Sequence, residues 1–194
     1  MLPESLNNII RTRRSIYPKQ YSERPIEQAV LQEILENANW APTHKKTEPW
    51  RFIVFEGANR QHLSDYLGNY YLANTPAEKQ SEIKLKNIRI KPVQASIVIA
   101  ICMQRDPEER LPEWEEVAAV ASAVQNMWLS CTAYGIGAYW SSPSSIIKAG
   151  EFLQLASGER CLGLFYMGYF DGQAPPVDRK PVGEKVRSWT PATK

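Results

Sequence analysis

Apolar residues recur along this chain with two periods, and the switches between them mark out the elements. Leu6, Ile9 and Ile10 share one side of a helix predicted over Leu2 to Arg14. Pro25 opens a second helix in which Ile26, Val30, Ile34 and Ala38 repeat at steps of four, with Leu31 and Leu35 beside them. That helix must stop near Trp40, because Pro42 disfavours helical geometry at Ala41. The run WRFIVF, Trp50 to Phe55, is aromatic and β-branched, is closed by Gly57 and reads as a buried strand. Asn59 to Ala73 reads as helical, and the polar stretch after it fits either a helix or a loop. ASIVIAIC, Ala95 to Cys102, is a nearly continuous apolar strand of the kind covered on both faces. A long helix is predicted from Glu113 to Tyr134, stopped by Gly135. Its Val117, Val120, Ala121, Val124, Met127, Trp128 and Cys131 predict a fully buried, central position. A short strand at Gly137 to Trp140, a helix at Ile146 to Leu155 and a strand at Cys161 to Phe170 complete the pattern. Beyond Asp171, Pro175, Pro176, Pro181 and Pro191 predict an extended tail, which needs another surface such as a partner subunit to lie on. With no repeat, linker or low-complexity tract, residues 1–194 are expected to form one three-layer α+β domain.

Composition narrows the function classes. Apolar residues make up 43% and charged residues 23% of 194, the balance of a soluble globular protein. The first ten residues, MLPESLNNII, lack the basic start and apolar stretch of a secretory leader. No window approaches the ~18 apolar residues of a membrane span, so a cytoplasmic location without membrane attachment is expected. Cys102, Cys131 and Cys161 lie in apolar surroundings and read as buried reduced thiols. His44 and His62 are the only histidines, which leaves a zinc site without ligands. The net charge of +2 does not call for nucleic acid. The cluster Lys84, Lys86, Arg89 and Lys91 reads as a solvated helix face, and it lacks the interleaved aromatics that stack on bases.

Several chemistries lack their motifs: there is no G-x-G-x-x-G after a strand, no Walker loop and no G-x-S-x-G elbow. Three segments remain. RTRRS, Arg11 to Ser15, follows the first helix; its guanidinium forks and hydroxyl suit a phosphate, or equally a basic cap on the helix end. APTHKKTEPWRFIV, Ala41 to Val54, runs from a helix end into a buried strand and can line a ligand or simply connect the two elements. GIGAYWSSPSS, Gly135 to Ser145, combines glycines, a flat aromatic and hydroxyl donors, a mixture suited to a planar heteroaromatic ring. The plainer reading there is that Trp140 is a core aromatic.

Together these segments resemble the nitroreductase family of FMN enzymes. The resemblance covers most of the chain: the basic R-R-S, an A-P-[ST]-x-x-x-x-[QE]-P-W-R-F loop and strand, the long helix, a G-x-G-x-x-W loop and an Arg-containing tail. It is similar above all to small, single-domain NAD(P)H nitroreductases with a histidine at the position of His44. The resemblance implies an α+β, three-layer α-β-α fold with a mainly antiparallel sheet around a long central helix. It implies a homodimer with FMN at the interface, NADH or NADPH as reductant, and ping-pong hydride transfer to nitro compounds or similar small acceptors. By the same resemblance Arg13, Arg14 and Ser15 bind the FMN phosphate and ribityl chain, and Arg179 adds a phosphate contact. His44, with Trp40 nearby, approaches the flavin from the facing subunit, while Trp140, Ser141 and Ser142 line its other side. Two residues depart from the family pattern: Lys46 and Glu48 stand where Asn and Gln are usual, so Lys46 would set positive charge near the flavin N1–C2=O edge. No catalytic side chain is expected, because the cofactor carries the chemistry. Rival readings are a flavin storage or sensory protein without turnover, and a reductive dehalogenase or flavin-destructase variant of the fold.

Overall fold

The computed structural model describes residues 3–174 and 176–191; Leu2 and Pro175 of the sequence expectations lie outside it. Four strands, β1 (Trp50–Phe55), β2 (Ile97–Gln104), β3 (Ile136–Ser141) and β4 (Glu159–Tyr169), form one sheet in the order β1-β2-β4-β3. Every pairing is antiparallel, with Phe52 opposite Ile101, Ile99 opposite Phe165 and Ala138 opposite Met167. The sheet is sandwiched between helices. On one face α2 (Gln28–Asn39) and α5 (Glu113–Ala133) pack over Ile97, Ile99, Ile101, Phe165 and Met167. On the other, α3 (Asn59–Ala73) and the short α6 (Ser144–Ile147) cover Val98, Ala100, Leu164 and Tyr166. α4 (Glu82–Gln94) lies against α3, and α1 (Pro3–Thr12) against α5. This is the three-layer α+β fold the sequence implies. Among the described residues no helix is long and apolar enough to cross a membrane.

The structure shifts several boundaries for local reasons. α2 begins at Gln28 rather than at Pro25, because Glu27 is extended and the Ile26 N–H is taken by Ser96 Oγ at 2.9 Å. β2 starts at Ile97 rather than at Ala95, although the Ser96 N–H still donates to the Met167 carbonyl of β4 at 2.9 Å. The helix predicted over Ile146 to Leu155 stops at Ile147; turns replace it, and Gln154 sits in the left-handed region at φ 53°. α5 buries Glu116, Val120, Ala123, Val124, Met127 and Cys131 but leaves Ala118, Ala121 and Gln125 exposed, so it is covered on one side rather than all round. The tail, residues 176–191, is exposed throughout, with Trp189 at 84%.

The loop between β2 and α5 is fixed by charge. Buried Glu116 pairs with Arg105 and accepts the Asp106 N–H at 2.9 Å, while Arg110 clamps the Asp106 carboxylate at 2.8 and 3.1 Å. That clamp lowers the Asp106 carboxyl to about 2. The N-terminus of α5 is thereby held beside the 3-10 turn His44–Lys46.

Candidate functional site

The R-R-S segment leaves α1 and runs alongside the edge strand β3. Ser15 forms a parallel bridge with Ala138, and the Ile16 N–H donates to the Ala138 carbonyl at 3.0 Å. Gly137 makes this approach possible, because a Cβ there would lie 2.7 Å from Ile16 Cβ. Trp128 on α5 fastens the segment twice: its indole N–H donates to the Arg14 carbonyl at 3.2 Å, and the Arg13 guanidinium lies 4.5 Å from the ring centroid. Such stacking contributes about 1 kcal/mol. Trp128 itself is braced edge-on against buried Phe165, 5.5 Å away. The sequence marked Trp128 as a core residue, and nothing in its local pattern distinguishes a core aromatic from a platform for a guanidinium.

Arg13, Arg14 and Arg179 come together here. The Arg13 guanidinium is pushed below its usual value by burial first, then by the positive charges of Arg179 and Arg14. Among the described residues no carboxylate pairs with Arg13 or Arg179. Arg14 Nη1 caps the turn by donating to the carbonyls of Arg11 and Arg13, at 2.6 and 2.9 Å. The capping reading of the segment is thus expressed in Arg14. Arg13 and Arg179, like charges with no described carboxylate between them, suit a multiply charged anion. Such a set fits a phosphate monoester.

Strand alternation separates the next group. Trp140 turns toward the α5 side, where its indole N–H reaches the Leu162 carbonyl at 3.4 Å and its ring covers Gly163. Ser141 turns to the opposite face. There it lines a cavity of about 340 Å³ with Tyr70, Tyr166, Ser145, Lys84 and Lys91. Ser142 follows β3 and is exposed. Trp140 and Ser141 therefore do not share a wall, unlike the arrangement expected from the sequence. Lys84, Lys86 and Lys91 are exposed, as a solvated helix face requires, but Lys84 and Lys91 also border this cavity, and Lys84 lies 5.2 Å from the Tyr71 ring centroid. Only the packing of α4 on α3 directs them there.

The His44 loop is elsewhere. His44 Nδ1 meets Glu115 Oε2 at 2.7 Å, and Lys45 Nζ donates to the Arg110 carbonyl at 3.2 Å. Lys45, Lys46 and Glu48 all lie in the left-handed region, at φ 51°, 55° and 41°. Such residues cost of order 1 kcal/mol or more each, so the surrounding structure must hold them there. The Glu48 N–H donates to Thr43 Oγ1 at 3.1 Å, and Arg51 binds the Glu48 carbonyl at 3.0 Å. Trp40 is 78% exposed, its indole N–H on Glu36. Within one chain this group is far from the arginine cluster. Glu115 and Trp128 are 13 residues apart on α5, about 20 Å at 1.5 Å per residue. The loop also leads into β1, at the opposite edge of the sheet from β3.

A larger groove, about 690 Å³, lies beside Lys19, Glu23, Gln28, Glu56 and Arg60. Gln28 there donates to Glu56 at 2.5 Å, and Arg60 donates to the Val93 and Ala95 carbonyls. None of the residues that the resemblance assigns to the cofactor lines it.

Comparison with known proteins gives a consistent result. The model of the nitroreductase family matches residues 10–169. The Bacillus subtilis (strain 168) protein named "Putative NAD(P)H nitroreductase YfhC" is 33% identical over 184 residues, 90% of this chain and 89% of the relative. The crystal structure of a nitroreductase-like family protein from Bacillus cereus superposes with a TM-score of 0.82 at 28% identity, covering 97% of each chain. That of the FMN-dependent nitroreductase NfnB from Mycobacterium smegmatis, in complex with NADPH, gives a TM-score of 0.77 at 17% identity, covering 98% of this chain and 100% of the other.

Proposed function

The chain belongs to the nitroreductase family, and on that premise we propose that it is an FMN-dependent NAD(P)H oxidoreductase, a homodimer that reduces nitro compounds or similar small acceptors by a ping-pong cycle. One observation carries the reading: Arg13, Arg14 and Arg179 converge beside Ser15 with no described carboxylate paired to Arg13 or Arg179. NfnB, which shares the fold, is FMN-dependent and was solved with NADPH. When bound, FMN supplies reversible two-electron hydride exchange, so that NADH or NADPH and the acceptor use one site in turn.

The residues divide the binding between them. Arg13 and Arg179 hold the phosphate by charge-assisted hydrogen bonds, Arg14 adds charge while closing the turn, and the Ser15 hydroxyl reaches the ribityl chain. Ser141 stands three strand residues beyond Ala138, the bridge partner of Ser15. That is about 10 Å along the strand, so the two side chains must reach toward each other for one ribityl phosphate chain to touch both. The cavity at Ser141 then takes the ring, with Lys84 and Lys91 giving its wall positive charge. Trp140 supports that wall from behind, through Gly163, and Ser142 borders its mouth.

His44 and Lys46 are too distant in the same chain to join this site, so they come from a second copy. Their strained loop holds its shape for that contact, and Glu115 fixes the imidazole by Nδ1, leaving Nε2 available. Ala118, Ala121 and Gln125 on α5, with Trp40, Val182, Val186 and Trp189, supply the exposed surface for the second copy. No side chain needs to act as acid or base, since water can supply the proton.

An absorption spectrum of the purified protein, before and after anaerobic NADH or NADPH, tests the reading. Flavin bands that bleach with reductant and return with a nitroarene are expected. Bands untouched by both nucleotides would make it a flavin binder without turnover. A colourless protein that FMN cannot reconstitute would overturn the proposal.

A further inference from the structure

Two of the cysteines face each other across the middle of the sheet. Cys102 and Cys161 are register partners in the antiparallel β2–β4 pair, and both are free and buried. The neighbouring sulfur, more than burial, pushes the Cys102 thiol up and draws the Cys161 thiol down. Directly paired residues in an antiparallel ladder have Cα atoms about 4.5–5.5 Å apart, within the roughly 4.4–6.8 Å that a disulfide spans. Joining the two sulfurs therefore requires no separation of the strands.

The ladder is irregular at this point. Its register shifts between Ile101 and Cys102, and Gly163, two residues after Cys161, has φ 146°. A bulge gives the backbone local freedom that an unbroken ladder lacks. Cys131 is the contrast within the same chain. It is buried in the core on the other face of the sheet, and burial is what pushes its thiol up. No cysteine stands opposite it.

We propose that Cys102 and Cys161 form a modification site, a dithiol that a hydroperoxide oxidises to an intrachain disulfide. The Cys161 sulfur, as thiolate, attacks one peroxide oxygen; the O–O bond breaks, and hydroxide leaves and takes up a proton, giving a sulfenic acid and water. The Cys102 sulfur then attacks the sulfenyl sulfur, the S–S bond forms, and the S–O bond breaks to release a second water that carries the Cys102 proton. Two thiols lose two electrons, and one hydrogen peroxide becomes two waters. Hydrogen peroxide is little larger than water; because β2 and β4 are the two central strands, it reaches the pair only in the rarer, larger openings of the sheet, so oxidation is slow. The pair belongs to the same apolar cluster as Leu67 and Tyr166, which also line the Ser141 cavity. Gly163, whose carbonyl accepts from the Cys161 thiol at 3.5 Å, abuts Trp140 and the Ser141 carbonyl. Oxidation thus acts one layer beneath the proposed ring site, although the dithiol chemistry does not depend on that site.

The experiment uses the purified full chain with whatever cofactor it retains, exposed to hydrogen peroxide, quenched in acid and digested without reductant. Trypsin places Cys102 in Ile90–Arg105, Cys161 in Cys161–Arg179 and Cys131 in Leu111–Lys148. The expected result is a linked pair of the first two peptides, a mass lower by two hydrogens, and free thiols falling from three to one. Dithiothreitol should reverse all three changes. The variant Cys102→Ser should instead leave Cys161 as a sulfenic acid that dimedone traps. The proposal is overturned if peroxide leaves all three thiols intact. It is equally overturned if Cys131 oxidises as fast as the pair, or if Cys102 and Cys161 pass to sulfinic acids with no linked peptide.

Discussion

Replacing Gly137 by Ala couples the packing of β3 to the proposed phosphate site. An added methyl would lie 2.7 Å from Ile16 Cβ, 2.8 Å from Ile16 Cγ2 and 3.1 Å from Phe170 Cδ1. Carbon atoms rest about 3.5–4.0 Å apart, so Ile16 must withdraw by about 1 Å. Its N–H bond to Ala138, 3.0 Å in the native chain, then stretches past hydrogen-bonding distance. Losing that bond costs about 1 kcal/mol, and forcing the extra methyl into the contact costs about 1–3 kcal/mol more. For a domain of this size each kcal/mol lowers Tm by roughly 2–4 °C, so G137A should melt roughly 4–16 °C below the native protein. Arg13, Arg14 and Ser15 move with Ile16. If one charge-assisted hydrogen bond to the phosphate is lost, at about 1.5–3 kcal/mol, FMN affinity falls about tenfold to a hundredfold. Riboflavin, which has no phosphate, should lose much less. Titrating the apoprotein with both flavins by fluorescence, beside a thermal melt, separates the two effects. A variant with lowered Tm but the native preference for FMN over riboflavin would refute the assignment of the phosphate to this segment. An unchanged Tm would refute the packing argument itself.

Two further perturbations probe other parts of the chain. Glu116→Ala removes a buried carboxylate and leaves Arg105, whose side chain is 19% exposed, without its partner; the loss should be about 3 kcal/mol, the low end for a broken buried pair, or roughly 6–12 °C in Tm. A melt within 2 °C of native, about the effect of 1 kcal/mol or less, would show that the pair does not anchor the β2–α5 loop. Lys46→Met removes a positive charge proposed to face the flavin of the second copy, so the FMN reduction potential should fall; an unchanged potential by spectroelectrochemistry rules Lys46 out of that role.

Much of the fold was legible because periodicity reports burial directly. WRFIVF became β1 with the predicted limits, and α5 ended one residue short of Tyr134. Misplaced limits trace to contacts distant in sequence. The Ile26 N–H, expected inside α2, is taken by the Ser96 hydroxyl seventy positions away, and no local window contains that bond. The turn after Ile147 is similar: an apolar pattern continues to Leu155, but the chain uses those residues to cover the sheet from turns. In the site, the basic R-R-S and the tail arginine were visible as residue types. Their convergence was not, since no local stretch of sequence contains both Arg13 and Arg179.

By itself, then, the sequence determined the order of helices and strands, the burial of the sheet on both faces, and the arginines proposed to hold a phosphate. These follow from local chemistry: side-chain period, proline and glycine geometry, and the fixed charge of arginine. Tertiary structure alone decided which of them act together. Alternation along β3 sends Trp140 and Ser141 to opposite faces, α4 packing turns Lys84 and Lys91 into a cavity wall, and the length of α5 keeps His44 and Lys46 away from Arg13. The physical reason is common to all three. A residue's neighbours in space are set by how layers pack and cross, and that depends on contacts between segments which no stretch of the chain contains on its own.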